Sequence, residues 1–179
     1  VDDHVEVSVR YPAQCTLPGV IVHRSVDLCP EDIVEFDGFK TTSIARALCD
    51  AGLLFGLAEV QRMVDHSVAT GLATPGELLA FRQRVGEHGR NGVVKLEAAV
   101  EALPPGAERT DSGGEVALLR VIHRSPLPDP VLQYPVAVNG RQRYIDIAYP
   151  AAGLAIEYDG KDVHTRVDRF VDDRRRQND

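Results

Sequence analysis

The sequence predicts an α+β fold in two parts: N-terminal strands followed by a helical region, then a unit ordered helix, three strands, helix. Three observations carry this. Val5-Glu6-Val7-Ser8-Val9 alternates with period two, as a half-buried strand does. From Thr41 onward the apolar spacing becomes helical. Further on, Asn139-Gly140, a strong two-residue hairpin signal, separates two strand-like runs. Pro104-Pro105-Gly106 is the clearest break and divides the chain into units at 1–104 and 108–179.

In the first unit, 19–23 and 32–36 read as two further strands. The helical period then places Ile44, Ala47, Leu48 and Ala51 on one face, with Thr42 or Ser43 as N-cap. Three more helices are expected at about 56–70, 75–87 and 92–102, separated by glycines, with Pro75 suited to a first turn. No convergent set of catalytic residue types is visible here.

The second unit opens with a helix over 112–123, Leu118, Leu119 and Ile122 forming its stripe. Strands are expected over 131–138, 141–149 and 154–159, then a loop and a helix from Thr165. Turn lengths set the register. A four-residue turn at 150–153 pairs Tyr149 with Leu154, so Asp146 faces Glu157. A two-residue turn at Asn139-Gly140 places Gln133 opposite Asp146. Gln133, Asp146 and Glu157 then form one row across three strands, with Asp159 on the same face as Glu157. The other face collects Tyr134, Val136, Ile145, Ile147, Leu154, Ile156 and Tyr158.

Composition narrows the function classes. With 44% hydrophobic and 26% charged residues the chain is neither a disordered tail nor a low-complexity polymer. No apolar run reaches the roughly 18–20 residues of a membrane span, so no membrane partner is expected. Cys15, Cys29 and Cys49 are isolated from one another and lack metal-ligand spacing, which predicts an intracellular, cytoplasmic protein without a disulfide framework. No signal peptide is read, and a start at Val with an end at Arg-Arg-Arg-Gln-Asn-Asp suggests a piece of a longer protein. The net charge of −7 argues against indiscriminate nucleic-acid binding, but the charge is uneven. Residues 1–105 hold 9 Lys+Arg against 15 Asp+Glu, and residues 106–179 hold 11 against 12.

The carboxylate row carries the chemistry. Facing side chains in a sheet have Cβ atoms about 4.5–5.5 Å apart. Two carboxylates at about 5 Å repel by roughly 3 kcal/mol at an effective dielectric of about 20. A shared proton, an arginine or a cation must offset that, and oxygen ligands suit Mg²⁺ or Mn²⁺. The alternative is a solvent-facing sheet with Arg141 or Arg143 nearby. Glu115 sits at the head of its helix on the apolar stripe, either as a third ligand or simply as the closing residue of a Ser112-x-x-Glu115 capping box. Lys161 and His164 follow in a loop and could orient water, neutralise a phosphate or act as acid or base. Arg166, Arg169, Arg174, Arg175 and Arg176 could grip a polyanionic backbone or pair with Asp168, Asp172 and Asp173 on their own helix.

The run Arg143-Tyr144-Ile145-Asp146-Ile147-Ala148-Tyr149-Pro150, then Leu154-Ala155-Ile156-Glu157-Tyr158-Asp159-Gly160 with His164, then Asp172-Asp173-Arg174-Arg175-Arg176-Gln177-Asn178, resembles the very-short-patch-repair-like branch of the PD-(D/E)XK nucleases. The first unit, through His23-Arg24-Ser25 and Thr41-Thr42-Ser43-Ile44-Ala45-Arg46, is similar to the AbiEi-antitoxin-like region that an actinobacterial family joins to that domain. The resemblance implies a truncated αβββα(β) restriction-endonuclease-like core over 108–179. It also implies a Mg- or Mn-dependent endonuclease acting on DNA, with RNA left open. By position it makes Asp146, Glu157 and Glu115 the metal ligands, and adds Asp159, His164 and Lys161 as catalytic candidates. Gln133, Arg143, Arg166, Arg169, Arg174 and Arg175 are the nucleic-acid-binding candidates. Glu157-Tyr158-Asp159 departs from the usual Glu-x-Lys, and Lys161 lies two residues beyond the lysine's standard place. The other class of function this sequence predicts is a non-catalytic, antitoxin-like regulator with a vestigial nuclease fold.

Overall fold

The computed structural model describes residues 5–86 and 91–158 and has an α+β fold. Strands β1 (Val5–Arg10) and β2 (Val20–Ser25) pair in parallel, with Val5 beside Val20. Strands β3 (Ile33–Phe36) and β4 (Phe39–Thr42) form an antiparallel hairpin. The sequence reading places no strand over 39–42, whereas Thr41 and Thr42 pair with Val34 and Ile33. The reason is local. Asp37 and Gly38 both take positive φ, 49° and 77°, as a two-residue hairpin turn demands, so the chain returns as a strand before it coils.

Helix α1 (Ile44–Leu54) begins only after that return, with the Ser43 hydroxyl accepting the Arg46 N–H at 3.3 Å. Helices α2 (Leu57–Ala69), α3 (Pro75–Gly86) and α4 (Asn91–Glu101) follow close to the expected positions. Their stripes supply Leu48, Val60, Val64, Leu78, Phe81, Leu96 and Ala99 to one core. Helices α1 and α4 approach until a Cβ at Gly52 would lie 2.7 Å from the Gly92 carbonyl oxygen, so neither position admits a side chain.

A buried arginine ties this helical layer to the strands. Arg46 on α1 donates to Asp50 at 2.8 Å, to Asp32 at 3.0 Å and to the Ser25 hydroxyl at 2.9 Å, while Arg84 on α3 also reaches Asp32. Burial disfavours the Arg46 charge, but the bond to Asp50 and the charges of Asp50, Asp27 and Asp32 outweigh it and hold its pKa above the ordinary value.

Helix α5 (Gly113–His123) serves two cores. Val116 joins the first core, whereas Leu119 and Ile122 pack on Leu132, Ile147 and Tyr149 of the second. Arg120 on α5 donates from Nε to the Ala102 carbonyl at 3.0 Å and from its other end to Asp65 of α2 at 2.6 Å. Packing therefore crosses the 104–108 break.

Strands β5 (Val131–Val138), β6 (Arg141–Tyr149) and β7 (Leu154–Ile156) form an antiparallel sheet in chain order. Tyr149 pairs with Leu154 and Val138 with Arg141, so both turn lengths set the register expected from them. Strand β7 is shorter than its expected span of 154–159. The expected apolar face is buried at Ile147 and partly buried at Tyr134, Val136, Ile145 and Ile156, but Leu154 is 50% and Tyr158 43% exposed. Among the described residues β7 pairs only with β6, and a three-residue strand buries little.

Candidate metal centre

The site is built where α5 begins beside β6. The Ser112 hydroxyl caps the helix by accepting the Glu115 N–H at 3.2 Å. Its own O–H donates to one Glu115 carboxylate oxygen at 2.8 Å. The other oxygen accepts a backbone N–H at 3.0 Å, from Asp111 rather than from the cap residue a capping box would use. With Val116 and Leu119 fully buried on the same helix, Glu115 is drawn in to 5% exposure.

Asp111, Glu115 and Asp146 each place a carboxylate oxygen within 4.8 Å of the other two. Two oxygens that both lie about 2.0–2.6 Å from a hard divalent cation are at most about 4–5 Å apart, so this group could hold one ion. An all-carboxylate donor set suits a hard cation such as Mg²⁺, Ca²⁺ or Mn²⁺ rather than a thiophilic metal. Burial raises the Glu115 pKa; the Asp111 N–H and Ser112 O–H lower it, the charges of Asp146 and Asp111 raise it, and it stands above its ordinary value. Burial and the two neighbouring carboxylates thus disfavour the charged form of Glu115.

Asp146 lies on β6, next to the buried Ile147, and accepts the Tyr158 backbone N–H at 3.1 Å. The register extended by one residue from Ile147 and Ile156 sets Glu157 opposite Asp146. Glu157 lies just past the end of β7 and is exposed. The carboxylate that joins Glu115 and Asp146 in the trio is Asp111, which sequence reasoning passed over because it precedes the helix and belongs to no period. The signal available was an acid immediately before an N-cap serine.

Gln133 occupies the position between the ladder pairs Leu132–Ile147 and Tyr134–Ile145, as the register placed it opposite Asp146. Its φ of 50° leaves the extended region while the strand continues in register on either side, and its amide lies 3.5 Å from the Asp111 carboxylate. Arg143, half-buried, pairs with Val136 further along β6. Asp159, Lys161, His164, Arg166, Arg169, Arg174, Arg175 and Arg176 lie outside the described residues. Among the described residues no helix is long and apolar enough to cross a membrane.

No family model matches the chain, and no solved structure matches it. It is similar to two curated proteins from two strains of Mycobacterium tuberculosis, the uncharacterized proteins MT2308 and Rv2248. Each is 34% identical over 93 residues, covering 50% of this chain and 32% of the relative. The chain thus spans about a third of the length of the curated relatives it matches.

Proposed function

We propose that this chain is part of a Mg²⁺- or Mn²⁺-dependent endonuclease that hydrolyses phosphodiester bonds in DNA, in the cytoplasm. The observation that carries the reading is the convergence of Asp111, the buried Glu115 and Asp146, each with a carboxylate oxygen within 4.8 Å of the other two. A bound ion of this kind lowers the pKa of a coordinated water and stabilises charge on the scissile phosphate. The chain's own residues supply the rest. Asp146 presents an oxygen from a strand and Glu115 one from a helix, with Asp111 just before that helix. Ser112 and the Asp111 N–H orient the Glu115 carboxylate. Gln133 lies beside Asp111, where its amide can donate to a phosphate oxygen.

A second reading has one observation in its favour. Glu157-Tyr158-Asp159 holds an aspartate at the place where the usual Glu-x-Lys holds its lysine. In that reading the protein is an antitoxin-like regulator that binds nucleic acid without cutting it. Plasmid cleavage by the full-length protein in Mn²⁺, with Asp146→Ala as control, decides between them. Nicking or linearisation by the wild type alone supports the nuclease; binding by both proteins with cleavage by neither supports the regulator.

A further inference from the structure

We propose that Tyr158 is a positioning residue, held by packing against the bare backbone of Gly114, and that this contact places Asp146 in the carboxylate trio. The inference rests on the metal-site reading above and adds to it the device that assembles the site. Two observations meet in one residue. A Cβ built on Gly114, in the first turn of α5, would fall into the Tyr158 ring, so the ring lies directly on the helix backbone one residue before Glu115. The backbone N–H of the same Tyr158 donates to the Asp146 carboxylate at 3.1 Å.

The consequence is mechanical. Glu115 is fixed by its own helix cap, but Asp146 stands on a strand whose neighbour β7 stops at Ile156. Beyond that point no ladder pair among the described residues holds residue 158, and the Gly114 contact takes over that role. Ring and amide together tie the end of β7 to the head of α5 across the side chain that both flank. Glycine at 114 is required by this close approach and not by backbone conformation.

Because Tyr158 is 43% exposed, the ring can swing into solvent when an alanine methyl displaces it, at small cost to the fold. Gly114→Ala should therefore leave the melting temperature of the metal-free protein nearly unchanged. The amide of Tyr158 should lose its hydrogen-exchange protection in the metal-free protein, and Mn²⁺ affinity measured by calorimetry should fall about tenfold or more. Tyr158→Phe, which keeps the ring, should behave as wild type, and Tyr158→Ala as Gly114→Ala.

Unchanged protection of the Tyr158 amide in Gly114→Ala overturns the contact. Lost protection with undiminished Mn²⁺ affinity overturns the positioning role. Loss of Mn²⁺ binding in Tyr158→Phe equal to that in Tyr158→Ala overturns the ring packing as its basis. If wild-type protein binds no Mn²⁺, the metal-site reading fails, and with it the placing of Asp146 for an ion; the exchange comparison still supports or overturns the Gly114–Tyr158 contact by itself.

Discussion

The Asp111 backbone N–H donates to the Glu115 carboxylate at 3.0 Å, while the Asp111 side chain approaches the same carboxylate as a like charge. One residue thus stabilises and repels its neighbour through different groups. The backbone contact is fixed by the helix cap, and the side-chain repulsion is what a cation relieves. Stability should therefore depend on the protonation of Glu115 and on divalent metal together.

The Glu115 pKa is raised above its ordinary value of 4.5, so the folded chain binds this proton more tightly than the unfolded chain. The stabilisation is fully present below the unfolded value and is lost as pH rises through the folded one. The stability of wild type minus that of Glu115→Gln should therefore decline as pH is raised from about 4 towards neutrality. Urea unfolding at a series of pH values measures it, and a difference that grows with pH would show that the cap hydrogen bonds dominate instead.

Asp146→Asn removes one negative charge from the trio while its side-chain oxygen can still accept the Tyr158 N–H. The metal-free variant should gain on the order of 1 kcal/mol and bind no Mn²⁺. Chemical denaturation and calorimetry test the two halves separately. A destabilised variant would indicate that the carboxylate is needed to hold a cationic side chain.

Arg46→Met should be severely destabilising. It leaves the fully buried Asp32 with Arg84 as its remaining cation and strips partners from Asp50 and Ser25. A broken buried pair costs about 3–5 kcal/mol, read as a lower urea midpoint at unchanged slope.

Arg120→Ala should cost about 3 kcal/mol for the same reason, since Asp65 on α2 is buried opposite it. Because α5 contributes to both cores, far-UV and tyrosine signals should unfold in one coincident transition in wild type. Two separated transitions would show that the units at 1–104 and 108–179 fold independently.

The elements legible in sequence were those decided by near neighbours. The helices over 57–69 and 75–86 follow from apolar spacing and from the punctuation of Gly71 and Pro75. The α5 cap follows from Ser112, and the pairings Tyr149–Leu154 and Val138–Arg141 follow from two turn lengths. The β3–β4 hairpin was equally local, announced by Asp37-Gly38, but its return strand is four residues long and ends against the helix N-cap, too short to show a period of its own.

By itself, then, the sequence determined the α+β class, the order and register of the second sheet and the placing of Glu115 at a helix head. Each depends on backbone geometry within a few residues, where period and turn chemistry are decisive. Only the tertiary structure decided which carboxylates meet. Asp111 and Asp146 lie far apart along the chain and carry no shared pattern. They converge because the α5 stripe of Leu119 and Ile122 seeks the same apolar surface as Leu132 and Ile147. The burial of apolar side chains sets that meeting, and the polar groups are carried into contact by it.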